Sequence, residues 1–209
     1  MSPDRRAGAG ERLIDVETLF DIGPPGILLV PGFLSMDEEA ALLSRLATLR
    51  FDPIVLHGRS ARRRARHYGL DYDYARRVPT PGEALPPWLE EIRQHVAPLA
   101  RVAPEDLAEA LVQHYPEGST IGWHRDAPAF DIVVGISLRG RCRMRFRRIG
   151  LTSESCEAVM QARSAYILRD EVRWEWQHSI PPTQEERYSI TFRTLRTTKQ
   201  RPEQAASGD

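Results

Sequence analysis

From Leu111 onward the chain breaks into short apolar or alternating runs separated by turn residues, at 111–115, 119–124, 131–138, 141–147, 157–160, 164–168, 172–178 and 187–196. Runs of this size are strand-sized, and their close spacing predicts an antiparallel sandwich or jelly roll. The first half reads differently. Ile27 to Val30 reads as a strand, and Ser35-x-x-Glu38 is a capping box that opens a helix with Leu42, Leu43, Leu46 and Leu49 at helical spacing. A proline-rich connector from Pro79 to Pro87 leads into a second amphipathic helix carrying Trp88, Leu89, Ile92, Val96 and Leu99. A short helix is expected around Pro104 to Ala110.

The β-rich half holds residues that carry chemistry. In Trp123-His124-Arg125-Asp126 the histidine and the carboxylate stand two apart, so on a strand they share one face. His178 follows several strands later. Two histidines and one carboxylate are the ligand set of the facial triad, which leaves open positions on Fe(II). A lone His-x-Asp arises by chance in many chains; here the triplet opens the β-rich half and a second histidine follows at a distance of strands. His57, His67 and His95 have no carboxylate at ligand spacing, and His114 would face away from Tyr115. Cys142 and Cys156 lack zinc-site spacing, and structural zinc prefers a closed tetrahedral set. Iron is therefore favoured, although ligands alone leave the metal open.

Arg187, Ser189, Thr191 and Arg193 share one face of the last run. The two arginines would stand about 20 Å apart on a straight strand at ~3.3 Å per residue. Their long side chains can reach inward from both ends. A guanidinium forks onto a carboxylate, so a pair of them suits a dicarboxylate; the plainer alternative is an edge strand with solvated arginines.

Composition narrows the classes further. A chain of 209 residues suits one domain with a substantial core, and 41% hydrophobic with 28% charged content describes an ordinary globular protein. No apolar run is long enough to cross a bilayer, and the first residues lack the apolar region of a secretory signal. With two cysteines, a reducing cytoplasm is the expected location. Formal net charge is zero, so overall basicity does not advertise nucleic acid. Arginine supplies all the positive side chains except Lys199, a bias that genome composition explains as readily as phosphate recognition. It is locally concentrated, at Arg59, Arg62, Arg63, Arg64 and Arg66 and again from Arg139 to Arg148. Arg141, Arg143, Arg145 and Arg147 alternate with Cys142, Met144 and Phe146, giving a strand with one basic and one apolar face. That basic face reads equally as a phosphate track or as a solvated outer surface.

The combination resembles the AlkB family of Fe(II)/2-oxoglutarate-dependent dioxygenases. The residues that carry the resemblance are Tyr115-Pro116-x-Gly118 leading to His124-x-Asp126, then His178, then Arg187-x-Ser189-x-Thr191-x-Arg193. Pro31-Gly32-Phe33-Leu34-Ser35 and Tyr68-Gly69-x-x-Tyr72-x-Tyr74 add to it. The resemblance implies a mainly β α+β fold, a double-stranded β-helix (jelly roll, cupin-like) with N-terminal helices and a nucleotide-recognition lid. It implies a single domain over 26–197, with the lid at about 52–85 and the core at about 111–196, between flexible tails at 1–25 and 198–209. His124, Asp126 and His178 would hold iron. Arg187 would take the distal carboxylate of 2-oxoglutarate, Arg193 would stabilise the end nearer the metal, and Gln113, Tyr115, Ser189 and Thr191 would complete that site. Arg66, Tyr68, Tyr72 and Tyr74 would meet the substrate, where rings can stack on a base.

The implied activity is oxidative demethylation of alkylated bases in DNA or RNA, with O2 as the second cosubstrate, nucleic acid as partner and a monomer as the working unit. Departures concern the substrate. Gln113 stands where the bacterial prototype has asparagine, Ser189 replaces another asparagine, and Pro128 occupies the position of an acidic residue linked to base recognition. Hydroxylation or demethylation of modified tRNA or of a protein side chain is therefore a second reading, and a non-catalytic cupin-like binding module a third.

Overall fold

The computed structural model describes residues 23–56, 59–73, 76 and 78–196. His57, Tyr74 and nearly all of both expected tails lie outside the described residues. The chain begins with strand β1 (Ile27–Val30) and helix α1 (Met36–Leu46). Ser35 caps α1 reciprocally: its Oγ accepts from the Glu38 N–H at 3.2 Å and Glu38 accepts from the Ser35 N–H at 2.7 Å. Strands β2 (Asp52–Leu56), β3 (Arg59–Tyr68), β4 (Leu70–Asp73) and β5 (Val78–Pro81) come next. Helix α2 (Pro87–Ala100) starts on a proline at its first position, where the missing N–H costs nothing.

After α2 the chain turns into sheet. Strands β6 (Leu107–Tyr115), β7 (Ile121–His124), β8 (Phe130–Leu138), β9 (Cys142–Arg148), β10 (Leu151–Met160) and β11 (Ala165–Leu168) precede a single-turn helix α3 (Asp170–Trp174). Strands β12 (Trp176–Ile180) and β13 (Arg187–Leu195) complete the fold.

Two sheets result, with every paired neighbour antiparallel. The larger has the order β1-β11-β8-β13-β6-β3-β2 and the smaller β10-β9-β12-β7. β4 and β5 form a separate ribbon. Alternation along β13 decides what lies where. Tyr188, Ile190 and Phe192 pack with Leu46, Leu89, Ile92 and Val96 in a core that joins the helices to the outer face of the large sheet. The opposite face meets the small sheet in a second core of Tyr115, Val133, Met144, Phe146, Tyr166 and Trp176. Full burial of a side chain such as Leu89, 0% exposed, contributes about 2 kcal/mol. The result is a mainly β, jelly-roll arrangement with helices backing one sheet. No helix among the described residues is long and apolar enough to cross a membrane.

Two expectations need correction. Pro104–Asp106 makes only one 3-10 turn, and β6 already begins at Leu107. This strand is covered on both faces, so its apolar residues lose the alternation that marks a half-buried strand. The run at 172–178 divides into the end of α3 and the start of β12. Its helical turn places Arg173 under the 127–131 segment, where it bonds three backbone carbonyls. Within the segment at 52–85, β2 and β3 extend the large sheet beyond β6, and β4 and β5 pair with each other.

Candidate active site between the two sheets

The three candidate ligands meet because β7 and β12 are neighbours in register. His178 pairs with His124 on one side and with Phe146 of β9 on the other. The two imidazole centroids are 4.3 Å apart. Asp126 lies just beyond the end of β7 and turns back, with Oδ1 3.8 Å from His124 Nε2. One ligand atom from each of the three residues lies within 4.8 Å of the others. His124 Nδ1 sits 2.9 Å from the Gly122 carbonyl oxygen. A carbonyl can only accept, so Nδ1 donates and Nε2 keeps its lone pair for a metal.

Electrostatics favours the ligand-competent protonation states. Burial pushes the Asp126 carboxyl up, but Arg193, His178, His124 and Arg173 outweigh it and hold it well below the usual carboxylate range. Burial drives the His178 imidazole down to about 4, with His124, Arg173 and Arg193 adding to the effect against Asp126. At neutral pH Asp126 is therefore a carboxylate and His178 a neutral imidazole, the forms that bind a divalent cation.

The facing sheet supplies the rest. Gln113, Tyr115, Arg187, Ser189 and Thr191 point from β6 and β13 toward the small sheet, and Ser189 lies between Gln113 and Ser137 in register. The Tyr115 hydroxyl donates to Gln113 Oε1 at 2.8 Å. Arg187 is 1% exposed. Its Nη2 reaches Ser137 Oγ at 3.1 Å and its guanidinium stands 4.5 Å from the Tyr115 ring, but Nε and Nη1 have no hydrogen-bond acceptor among the described residues. A buried guanidinium left in that condition is costly unless an anion completes it. This unmet demand and the open three-residue donor set fit a dicarboxylate and a divalent metal.

A cavity of about 390 Å³ lies beside these groups, lined by the three candidate ligands and by Tyr72, Gln113, Tyr115, Trp123, Tyr166 and Thr191 among others. Arg187 is behind the Tyr115 ring rather than on the wall. Tyr166 occupies space that only glycine leaves: a Cβ on Gly135 would fall 2.1 Å from its ring. Gly135→Ala is expected to cost about 1–3 kcal/mol by overpacking, with recovery in a Gly135→Ala/Tyr166→Leu double variant. Equal denaturation midpoints for the wild type and the single variant would refute this packing.

The substrate-facing candidates separate. Tyr72 lines the cavity, with its ring 6.0 Å from Phe130. Tyr68 is 3% exposed in the helix-side core, and Arg66 pairs with Glu83 and lies over the Tyr68 ring, so both stand outside the cavity. From the same arginine cluster it is Arg63 that reaches the cavity wall.

Two further residues emerge only in three dimensions. Arg193 donates through Nη1 to Glu109 at 2.8 Å and through Nη2 to Asp126 at 3.4 Å. His67 Nδ1 is 3.1 Å from Glu109, so this histidine does find a carboxylate partner, across strands rather than along the chain. A lone glutamate in the apolar run of β6 is the sequence signal that could have exposed this pair. Burial pushes the Glu109 carboxyl up, but Arg193 and His67 hold it below its ordinary value of 4.5. A lowered folded-state value means that the stabilisation is complete above pH 4.5 and is lost as pH falls below it. Glu109→Gln should cost about 3 kcal/mol at neutral pH and flatten the acid limb of the stability profile. Denaturant titrations at pH 7 and pH 4 test both; identical curves for the two proteins would dismiss the pair.

Two histidines and a carboxylate on one sheet, facing a buried arginine with unmet hydrogen-bond donors on the other, form a site suited to a divalent metal and an acid cosubstrate. The family model for the 2OG-Fe(II) oxygenase superfamily matches residues 26–193. The chain is 30% identical over 81% of its length to an Arabidopsis thaliana protein called "Alkylated DNA repair protein ALKBH8 homolog", and it spans about half, 53%, of that relative. It is 26% identical over 76% of its length to the mouse protein "tRNA (carboxymethyluridine(34)-5-O)-methyltransferase ALKBH8", of which 24% is covered. A solved structure described as "The structure of OsALKBH1" superposes with a TM-score of 0.64 at 16% identity, covering 84% of this chain and 99% of that one. The chain belongs to the 2OG-Fe(II) oxygenase superfamily, a family that implies Fe(II), 2-oxoglutarate and O2, and it is similar to proteins of the AlkB type.

Proposed function

We propose that the protein oxidises a modified base within a nucleic acid, with removal of an alkyl group from DNA or RNA as the leading reaction. One observation carries this reading: the cavity that exposes His124, Asp126 and His178 is also lined by two aromatic residues, Tyr72 and Trp123, and by Arg63. Flat rings flanked by a cation suit an unstacked base and its phosphate.

In this reading His124, Asp126 and His178 hold the iron and Arg187 takes the distal carboxylate of 2-oxoglutarate. Gln113, Tyr115, Ser189 and Thr191 orient the cosubstrate, and Arg193 fixes Asp126 in place. When bound, Fe(II) with 2-oxoglutarate and O2 supplies the power to insert oxygen into a substrate C–H bond, leaving succinate and carbon dioxide. A methyl group on a ring nitrogen, once hydroxylated, leaves as formaldehyde. The protein contributes position and charge. The His124 Nδ1–H bond to Gly122 fixes that ring's orientation, and the aromatic walls keep water from the reacting carbon. The lid expected at 52–85 contributes Tyr72 and Arg63 in this scheme, on the β4–β5 ribbon and on β3.

A second reading has specific support. The names of the Arabidopsis and mouse relatives point to DNA repair and to tRNA uridine modification respectively. Hydroxylation of a modified uridine in tRNA would use the same residues. A panel of modified bases in single- and double-stranded DNA and RNA, read by mass spectrometry, separates these. Formaldehyde release is the expected result, and oxygen gain without formaldehyde on tRNA selects the second reading. Succinate formation from 2-oxoglutarate with no change in any nucleic acid would overturn both.

A further inference from the structure

The outward face of β9 carries Arg143, Arg145 and Arg147, with Arg141 just before the strand, while Cys142, Met144 and Phe146 are buried beneath it. The stripe runs for about 20 Å at a repeat of about 6.6 Å. Its charges are barely opposed. Arg143 meets Glu157 at 3.7 Å with both side chains about half exposed, a weak contact, and Glu185 accepts from the Arg141 backbone N–H at the far end. Arg148, next on the same strand, is treated in the opposite way: Glu154, Glu171 and Glu175 all bind its guanidinium. The fold thus neutralises the arginine it packs and leaves four others in a row, although the whole chain carries zero net charge.

The stripe also connects to the active site. Arg147 and Arg145 reach across β12, where the outward residues are Gln177 and Ser179, and lie over the Trp123 ring at 4.5 and 5.4 Å from its centroid. Arg147 Nε is further fixed by Gln177 Oε1 at 2.9 Å. Trp123 is at once the end of this arrangement and part of the cavity wall. Guanidinium groups held against an indole offer phosphate donors in fixed positions, with little rotamer freedom left to lose.

We propose that the outer face of the small sheet is a backbone track for single-stranded nucleic acid, along which successive phosphates engage Arg141, Arg143, Arg145 and Arg147 and lead the strand to Trp123 and the cavity. Repeated cations beside an aromatic platform match a polynucleotide, whose charges recur at regular intervals and whose bases stack regardless of sequence. The track rests on the nucleic-acid reading above and extends it from one base to the strand that carries it.

The test compares wild type with an Arg141→Gln/Arg143→Gln/Arg145→Gln variant and with the matching triple lysine variant. None of these three residues belongs to the catalytic machinery. The probe is a fluorescein-labelled single-stranded RNA of mixed sequence, titrated by anisotropy across a series of salt concentrations. Each phosphate contact contributes about 0.7 to the slope of log affinity against log salt for single strands. The glutamine variant should lose about 2 from that slope and bind at least tenfold more weakly at low salt, while the lysine variant keeps the slope. Its melting temperature and its substrate-free succinate formation should match wild type.

Wild-type affinity and slope in the glutamine variant would overturn the track and leave the oxygenase and its nucleic-acid substrate intact. Failure of the wild type to bind RNA, with succinate formation preserved, would overturn both the track and the nucleic-acid substrate. Displacement of the RNA by poly-glutamate at equal charge concentration would also overturn it, in favour of an acidic polypeptide. If the triple variant is unfolded, the single Arg143→Glu variant carries the same comparison.

Discussion

Replacement of His178 by alanine is expected to abolish turnover of 2-oxoglutarate to succinate, with loss of Fe(II) binding as the cause. Removing a residue that merely orients a metal ligand costs about 10–100-fold in affinity or activity, so loss of a ligand itself should exceed 100-fold. His178 is the most informative of the three positions. Asp126 is tied to Arg193 at 3.4 Å, so its removal also disturbs a buried charge network. His178 instead lies between the His124 and Phe146 rings and is held neutral by burial, so its deletion removes a ligand without stranding a charge. Metal titration and the melting temperature of the metal-free protein should be measured together. Retained iron affinity in a folded His178→Ala protein would remove this residue from the metal site.

The second large effect is expected at Arg187, and it has two opposite components. Arg187→Met should weaken 2-oxoglutarate binding by about 100-fold or more, the loss of a charge-assisted pair in a buried setting. The same substitution should leave the unliganded protein as stable or raise its stability by about 1–4 kcal/mol, since an apolar side chain replaces a buried charge two of whose three nitrogens have no acceptor among the described residues. A residue serving only the fold would show the reverse pattern. Calorimetric titration of 2-oxoglutarate and denaturant unfolding of the metal-free protein measure the two halves separately. Unchanged cosubstrate affinity would assign that role elsewhere.

Much of this centre is legible in the sequence because it obeys local rules. The alternation from Arg187 to Arg193 follows from a strand period of two and survives in β13, whereas His124 ends β7 and Asp126 comes to it by a turn of the chain rather than by strand alternation. The capping box at Ser35 is equally local. What escapes is set by contacts across strands. Glu109 is unremarkable until β6 and β13 pair and place it against Arg193. Tyr166 matters because Gly135 on the adjacent strand leaves room for its ring. Arg173 gains its importance from carbonyls more than forty residues earlier in the chain. The tyrosines near the lid show the limit from the other side, since their spacing is local but Tyr68 and Tyr72 end in different environments.

β13 occupies the centre of the large sheet, between β6 and β8, yet follows both in the chain. During synthesis β8 is complete at Leu138 and β13 only at Leu195, a wait of roughly 3–10 s at about 5–20 residues per second. Until then the inner edges of β6 and β8 have no strand between them, and such edges invite pairing with other chains. The strand that ends this exposure also brings Arg187 into place. If Arg187 holds the diacid as proposed, competence to bind it arrives with sheet closure rather than building up gradually, and a nascent chain stalled before β13 should be both inactive and prone to aggregate.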